Sequence, residues 1–339
     1  MIHNGLLFYN IAELVDVEGK EGLRLQRVTE SLRPKLDEGT AGVMLSPANC
    51  EIRFRVSEGQ EKVSITLSAE EPTRAHVYHG PFQGKEIFLD AKPQEVQIKL
   101  HKRLALLSDD QKQKLSYDPS LIRICFGGAY PDPVYYHGHG EGLSLPEAGD
   151  VPEKTYLAYG SSITHGNDQV GAGLSYVAHA AWKLGVNLKN FGASGCCLCE
   201  PELADFLSEQ ECDLVTLELS VNMLGRGFSA EEFRERAAYL VEKVTDADPK
   251  RQVVCLTIFP FHADFGGQYS NEVHKATPEE YRQVIRDIVE RLDRPNLSLI
   301  EGAEVLTSME GLSQDLIHPG ARGAIMMGEN LARRLEGFV

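Results

Sequence analysis

The sequence predicts a two-domain α/β chain: an antiparallel, jelly-roll-like β-sandwich over residues 1–126, a linker over 127–153, and a three-layer α/β/α domain over 154–339. Three observations predict it. Apolar and polar residues alternate in short runs up to about residue 126. A stretch rich in Gly, Pro and acids follows. Continuous apolar runs then alternate with helical segments, the pattern of a parallel sheet covered on both faces. With 339 residues, 42% of them apolar and 25% charged, the chain can bury cores of that size.

In the first half, CEIRFRV sets Ile52, Phe54 and Val56 on one side of a strand and Glu51, Arg53 and Arg55 on the other. Val63, Ile65 and Leu67 repeat the pattern, as do Val96, Ile98 and Leu100. The turn-like segments SEGQEK and HGPFQGK separate such runs, and short strands at this spacing argue for a sandwich. The stretch GGAYPDPVYYHGHGEGLSLPEAGDVPEK reads as a linker that wraps over the next domain. Beyond it, TYLAY, NLKNF, DLVTLEL, QVVCLTIF and LSLIE read as five strands. Two helix starts carry capping boxes, Ser229 with Glu232 and Thr277 with Glu280; Pro278 stands at the first helical position of the second.

A formal charge of −16 disfavours nucleic acid and anionic membrane surfaces, because the summed field repels polyanions. A neutral or cationic small molecule fits better. The opening MIHNGLLFYNIAEL has neither a basic n-region nor a long apolar run, so no secretory leader is expected. No run approaches the ~20 apolar residues of a membrane span. Seven cysteines, an odd number spread along the chain, fit reduced thiols in the cytoplasm.

Each strand end in the second half offers polar groups. YGSSITHG places Ser161 and Ser162 after the first strand, and NFGASG places Gly195 after the second. LELSVNM ends at Asn222 and Met223, and DLIHPG carries Asp315, His318 and Pro319. Singly these are weak signals. A Ser after a strand is more often a helix cap than a nucleophile, an Asn ties down turns, and Asp-x-x-His-Pro can be capping alone, with Pro319 opening the helix. Together, at the carboxyl ends of parallel strands, they supply a hydroxyl, an imidazole, a carboxylate and oxyanion donors, the parts of an acyl-transfer site.

These four blocks resemble those of the SGNH hydrolases, also called the GDSL esterase/lipase family, over roughly residues 154–337. The resemblance implies a flavodoxin-like C-terminal domain. It also implies Ser162 as nucleophile, Asp315 and His318 as its acid–base partners, and an oxyanion hole from Ser162, Gly195 and Asn222. Two departures stand out. Ser161 occupies the position where the family usually has Asp, which implies altered bracing of the loop. Ser220-Val221-Asn222-Met223 replaces Gly-x-Asn-Asp, which alters the acyl pocket. A sandwich ahead of such a domain is similar to two-domain carbohydrate esterases and to an acyltransferase of natural-product biosynthesis.

The expected chemistry is ester hydrolysis through an acyl-enzyme on Ser162, with an acylated sugar as one substrate class and no cofactor or metal. Acyl transfer by the same residues is the alternative; a non-catalytic carbohydrate-binding protein is the alternative of another class. His165, Val221, Met223, Phe261 and His262 are candidate substrate contacts. The long loop at 259–276 adds Phe265 and Tyr269, as a cover for the substrate or as aromatics packing the loop down. Cys196, Cys197 and Cys199 are spaced too tightly to suit zinc and read as small side chains beside the site. His137 and His139 read as exposed hydrogen-bonding groups, and His179 as a packed or surface residue. The sandwich leaves three roles open: sugar binding, completion of the active-site rim, or formation of a homodimer.

Overall fold

Alternation in the first half closes into two antiparallel sheets in the computed structural model, which describes residues 1–57, 59–127, 133–167, 171, 173–266 and 274–339. One sheet runs, in spatial order, Ile2–His3, Leu6–Tyr9, Glu51–Val56, Leu121–Phe126, Thr73–His79 and Phe82–Leu89, with Leu143–Ser144 also pairing Glu51–Val56. The other runs Glu13–Asp16, Leu23–Gln26, Val134–His139, Lys62–Ala69 and Gln94–Lys99. Ile52, Phe54 and Ile124 of the first sheet share one buried core with Ile65, Leu67 and Val96 of the second.

The expected linker over 127–153 needs correction. Val134–His139 is an interior strand of the second sheet, and Leu143–Ser144 pairs at the edge of the first. Val134 and Tyr136 enter the core. The period of two is present there but masked by Gly and His, and a register shift between Tyr136 and Gly138 interrupts it. His137 bonds Ser68 at 2.9 Å and His139 bonds the Asn4 carbonyl at 2.9 Å.

The polar side of Glu51–Val56 is not a solvent face. Glu51 and Arg53 are buried, and Arg53 donates to Glu51 at 2.7 Å and to Asn187 of the second domain at 2.8 Å. Arg123 also donates to Glu51, at 2.8 Å. Burial works against the Glu51 carboxylate, but the two guanidiniums outweigh it and hold its pKa down at about 2. The segment 27–49 leaves the sandwich altogether, and its Val28, Leu36, Val43 and Met44 join the core of the second domain.

The second domain is a five-stranded parallel sheet of β1 (Thr155–Gly160), β2 (Asn187–Gly192), β3 (Leu214–Glu218), β4 (Gln252–Leu256) and β5 (Leu297–Ile300). Their order is β2-β1-β3-β4-β5, the flavodoxin-like arrangement. Period two divides each strand between the faces. Leu157 and Tyr159 pack toward the helices Pro201–Ser208, Ala230–Asp246 and Pro278–Leu292, while Tyr156 and Ala158 pack toward Tyr176–Leu184 and Ala321–Leu335. Both capping boxes form as expected. Among the described residues no helix is long and apolar enough to cross a membrane.

Candidate active site

The carboxyl ends of β1, β2 and β3 and the loop before the last long helix bring the four blocks to one edge of the sheet. After β1 the chain turns into α1 (Ser162–His165), with Ser161 at the N-cap accepting the Ile163 N–H at 3.2 Å. Ser162 is the first helical residue. Its N–H therefore has no intrahelical acceptor, and the helix start directs partial positive charge at whatever binds there.

Ser162 Oγ lies 2.6 Å from His318 Nε2, and His318 Nδ1 lies 2.6 Å from Asp315 Oδ2. The carboxylate can only accept, so Nδ1 carries the proton and Nε2 is left to accept from the serine hydroxyl. The other oxygen of Asp315 is fully engaged, receiving Ser313 Oγ at 2.8 Å, Ile317 N–H at 2.9 Å and His318 N–H at 3.0 Å. Burial opposes the charge on Asp315, but the hydrogen bonds from His318, Ile317 and Ser313 together hold the carboxyl well below the usual range. The helix beyond starts at Ala321 with Gly320 as N-cap, so Pro319 precedes it rather than opening it.

Gly195 is exposed and sits at φ +68° in a turn closed by Cys196 N–H donating to Ala193 O at 2.9 Å. The left-handed conformation favours glycine. Asn167 Nδ2, just past α1, donates to Ser194 Oγ at 2.7 Å and ties this turn to the serine loop. Asn222, in α2 (Val221–Gly225), accepts the Cys197 N–H on Oδ1 at 3.1 Å. That bond fixes the amide orientation and leaves Nδ2 as the end able to donate.

The candidate substrate contacts divide. His165 is fully buried, with Nδ1 donating to Gly192 O at 2.9 Å and Nε2 3.5 Å from Ser46 Oγ, so it packs the segment 27–49 against β2 and does not face a substrate. Met223 is fully buried in the domain core, and Phe261 is 3% exposed there, edge-on to His262. Neither has surface to offer a ligand, because helical periodicity turns Met223 inward from Asn222 and Phe261 packs its loop down. Val221 is half-buried beside Asn222. His262 is half-buried, and its backbone N–H donates to Leu316 O at 2.8 Å, bracing the loop of Asp315 and His318. Phe265 is 41% exposed, and Tyr269 lies outside the described residues. Cys196, Cys197 and Cys199 are buried thiols at the site's base; Cys196 Sγ meets Arg226 at 3.1 Å.

Two residues with no motif complete the surroundings. Glu218, the last residue of β3, is fully buried under the serine turn and accepts the Ser161 N–H at 2.6 Å. It supplies the altered bracing implied by Ser161. Arg27, the first residue after the strand Leu23–Gln26, reaches the end of β2. The only signal for Glu218 was an acid inside an apolar strand, LVTLELS, and Arg27 had none. A cavity of about 300 Å³ between the domains, lined by Tyr78, Tyr117, Arg123, Leu174 and Trp182 among others, includes no residue of the Ser162 cluster.

A parallel three-layer domain with a serine, an imidazole and a carboxylate in line defines the class of serine acyl hydrolases. The chain belongs to the GDSL-like lipase/acylhydrolase family, whose model matches residues 153–336, more than half of its length, and it is an ester hydrolase of the SGNH type. Among curated proteins no sequence matches. Solved structures share the fold over nearly the whole chain. A salicylyl-acyltransferase from a tetracycline biosynthetic pathway is 16% identical with a TM-score of 0.78, covering 98% of this chain and 95% of that one. A family two carbohydrate esterase from Clostridium thermocellum, in complex with cellohexaose, is 14% identical with a TM-score of 0.65, covering 98% of each. An acetyl xylan esterase from the rumen bacterium Butyrivibrio proteoclasticus is 11% identical with a TM-score of 0.58, again covering 98% of each. At these identities the likeness concerns the fold, and the two-domain layout runs through all three.

Proposed function

We propose that the chain hydrolyses a small acyl ester through an acyl-enzyme on Ser162, with an acetylated carbohydrate as the favoured substrate class. The observation that carries this reading is the pair of 2.6 Å contacts aligning Ser162, His318 and Asp315. His318 Nε2 takes the hydroxyl proton as Ser162 Oγ attacks the carbonyl, and Asp315 holds the tautomer and stabilises the imidazolium. The oxyanion is met by the N–H groups of Ser162 and Gly195 and by Asn222 Nδ2. His318 then protonates the departing alkoxide. Water attacks the acyl carbon, giving its proton to His318, which returns it to Ser162 Oγ as the acyl–oxygen bond breaks and the free acid leaves. An acceptor alcohol in place of water turns the same intermediate to acyl transfer.

The carbohydrate esterases and the acyltransferase that share the fold support these two outcomes. The test is labelling by a fluorophosphonate probe, followed by turnover of acetyl to octanoyl aryl esters and acetylated sugars. Labelling that is lost in Ser162→Ala supports the reading, and an unlabelled wild type sinks it in favour of a sugar-binding protein. Product partition in the presence of an added alcohol separates hydrolysis from transfer.

A further inference from the structure

Glu218 is a fully buried acid that the proposed reaction does not use. Its Oε2 accepts the Ser161 N–H at 2.6 Å and the Thr164 hydroxyl at 3.2 Å, so it grips the serine turn on both sides of Ser162. Among the described residues Oε1 has no hydrogen-bond partner. Gly160 makes the approach possible, because a Cβ there would lie 2.5 Å from Oε2. Burying a carboxyl with one oxygen unsatisfied is costly, and a Gln would serve as a plain brace at lower cost. The ionisable groups facing it are the Cys197 thiol from the loop after β2, the Tyr176 phenol from the next helix, and His318. Of these only His318 can carry positive charge.

We propose that Glu218 is a positioning residue whose ionised carboxylate locks the Ser161–Thr164 turn that carries Ser162, so that losing its charge on the acid side weakens the nucleophile. The proposal rests on reading Ser162 and His318 as nucleophile and base. Ionised, Glu218 accepts two charge-assisted hydrogen bonds that hold the turn on both sides of Ser162. Protonated, it holds the turn only through weaker, neutral hydrogen bonds. Burial pushes the carboxyl up to about 7, against the hydrogen bonds from Ser161 and Thr164 and the attraction of His318. Glu218 therefore changes charge near neutral pH.

The test is the pH dependence of fluorophosphonate labelling in wild type, Glu218→Gln, Thr164→Val and Ser162→Ala. Wild type should lose reactivity over two protonations on the acid side. Glu218→Gln, nearly isosteric, should show one protonation fewer on the acid side and a lower plateau. Thr164→Val removes a donor to the carboxylate and should displace the limb to higher pH, because Glu218 is then easier to protonate. Profiles that superimpose on wild type after scaling would make Glu218 a brace only and overturn the proposal. Should Glu218→Gln fail to give the wild-type melting transition, Thr164→Val decides: an upward displacement supports the proposal and a superimposable profile overturns it. Undiminished labelling of Ser162→Ala would instead overturn the serine reading, and this proposal with it.

Discussion

Arg27 Nη1 donates to the Gly192 carbonyl at 2.8 Å and to that of Asn190 at 3.2 Å, while its Nη2 donates to Val43 O at 2.7 Å. A fully buried guanidinium from the strand-rich half thus closes the end of β2, three residues before Gly195. Burial lowers its pKa to about 10, which still leaves it charged at neutral pH. Removing it breaks three hydrogen bonds from a charged donor in a buried place and leaves Gly192 O to His165, Asn190 O to Asn10 and Val43 O to the Ser46 N–H. Arg27→Ala should therefore cost on the order of 3 kcal/mol in urea unfolding. Arg27→Lys should rescue little, since an ammonium lacks the planar fork that serves several acceptors at once. A loss under 1 kcal/mol would show that the domains do not depend on this tie.

Ser161 and Ser162 should separate cleanly. Ser161→Ala removes a helix cap and should lower stability by about 1 kcal/mol while the enzyme still labels with a fluorophosphonate. Ser162→Ala should keep the melting temperature and lose labelling. The reverse pattern would mean that the nucleophile has been assigned one residue too late.

In the proposed mechanism Asn222 Nδ2 meets charge that develops only in the transition state, so Asn222→Ala should lower kcat by about 10²–10³ with little change in KM. The partner bond from Cys197 N–H would be lost as well, so a thermal melt is needed alongside the kinetics. A rise in KM with kcat intact would place Asn222 in substrate binding instead.

The buried Glu218 also predicts how stability responds to pH. Its folded pKa, raised to about 7 by burial, stands above an unfolded value near 4.3. Between those two values the folded state holds a proton that the unfolded state has released. Its contribution to stability therefore falls as pH rises through that window and levels off above it. Glu218→Gln removes the dependence, so the melting temperature of the variant relative to wild type should climb between pH 5 and pH 8. An unchanged difference would mean that Glu218 is not proton-linked to folding.

Much of the chain was legible from local pattern. TYLAY and DLVTLEL run through β1 and β3, interior strands covered on both faces and so largely apolar, while the more polar NLKNF forms β2 at the sheet edge. Both capping boxes formed, since their chemistry lies within four residues. The reading was weaker where composition hid periodicity. The strand Val134–His139 lay inside a Gly- and His-rich stretch, yet it is an interior member of its sheet. Among the candidate contacts, His165, Met223 and Phe261 turned out buried, because nearness in sequence to a reactive residue does not say which way a side chain points.

The order of blocks along the chain, by itself, determined the class of fold, the family and the residues on which to look for chemistry. Those follow from rules with short reach: hydrophobic period, caps, and small or hydroxylated residues at strand ends. Tertiary structure alone decided that Glu51 and Arg53 face a domain rather than water, that the segment 27–49 belongs to the second core, and that Glu218 and Arg27 grip the loops of Ser162 and Gly195. Each of these depends on which surface lands on which across more than fifty residues of sequence. The free energy of that meeting, desolvation set against pairing, has no trace in any local pattern.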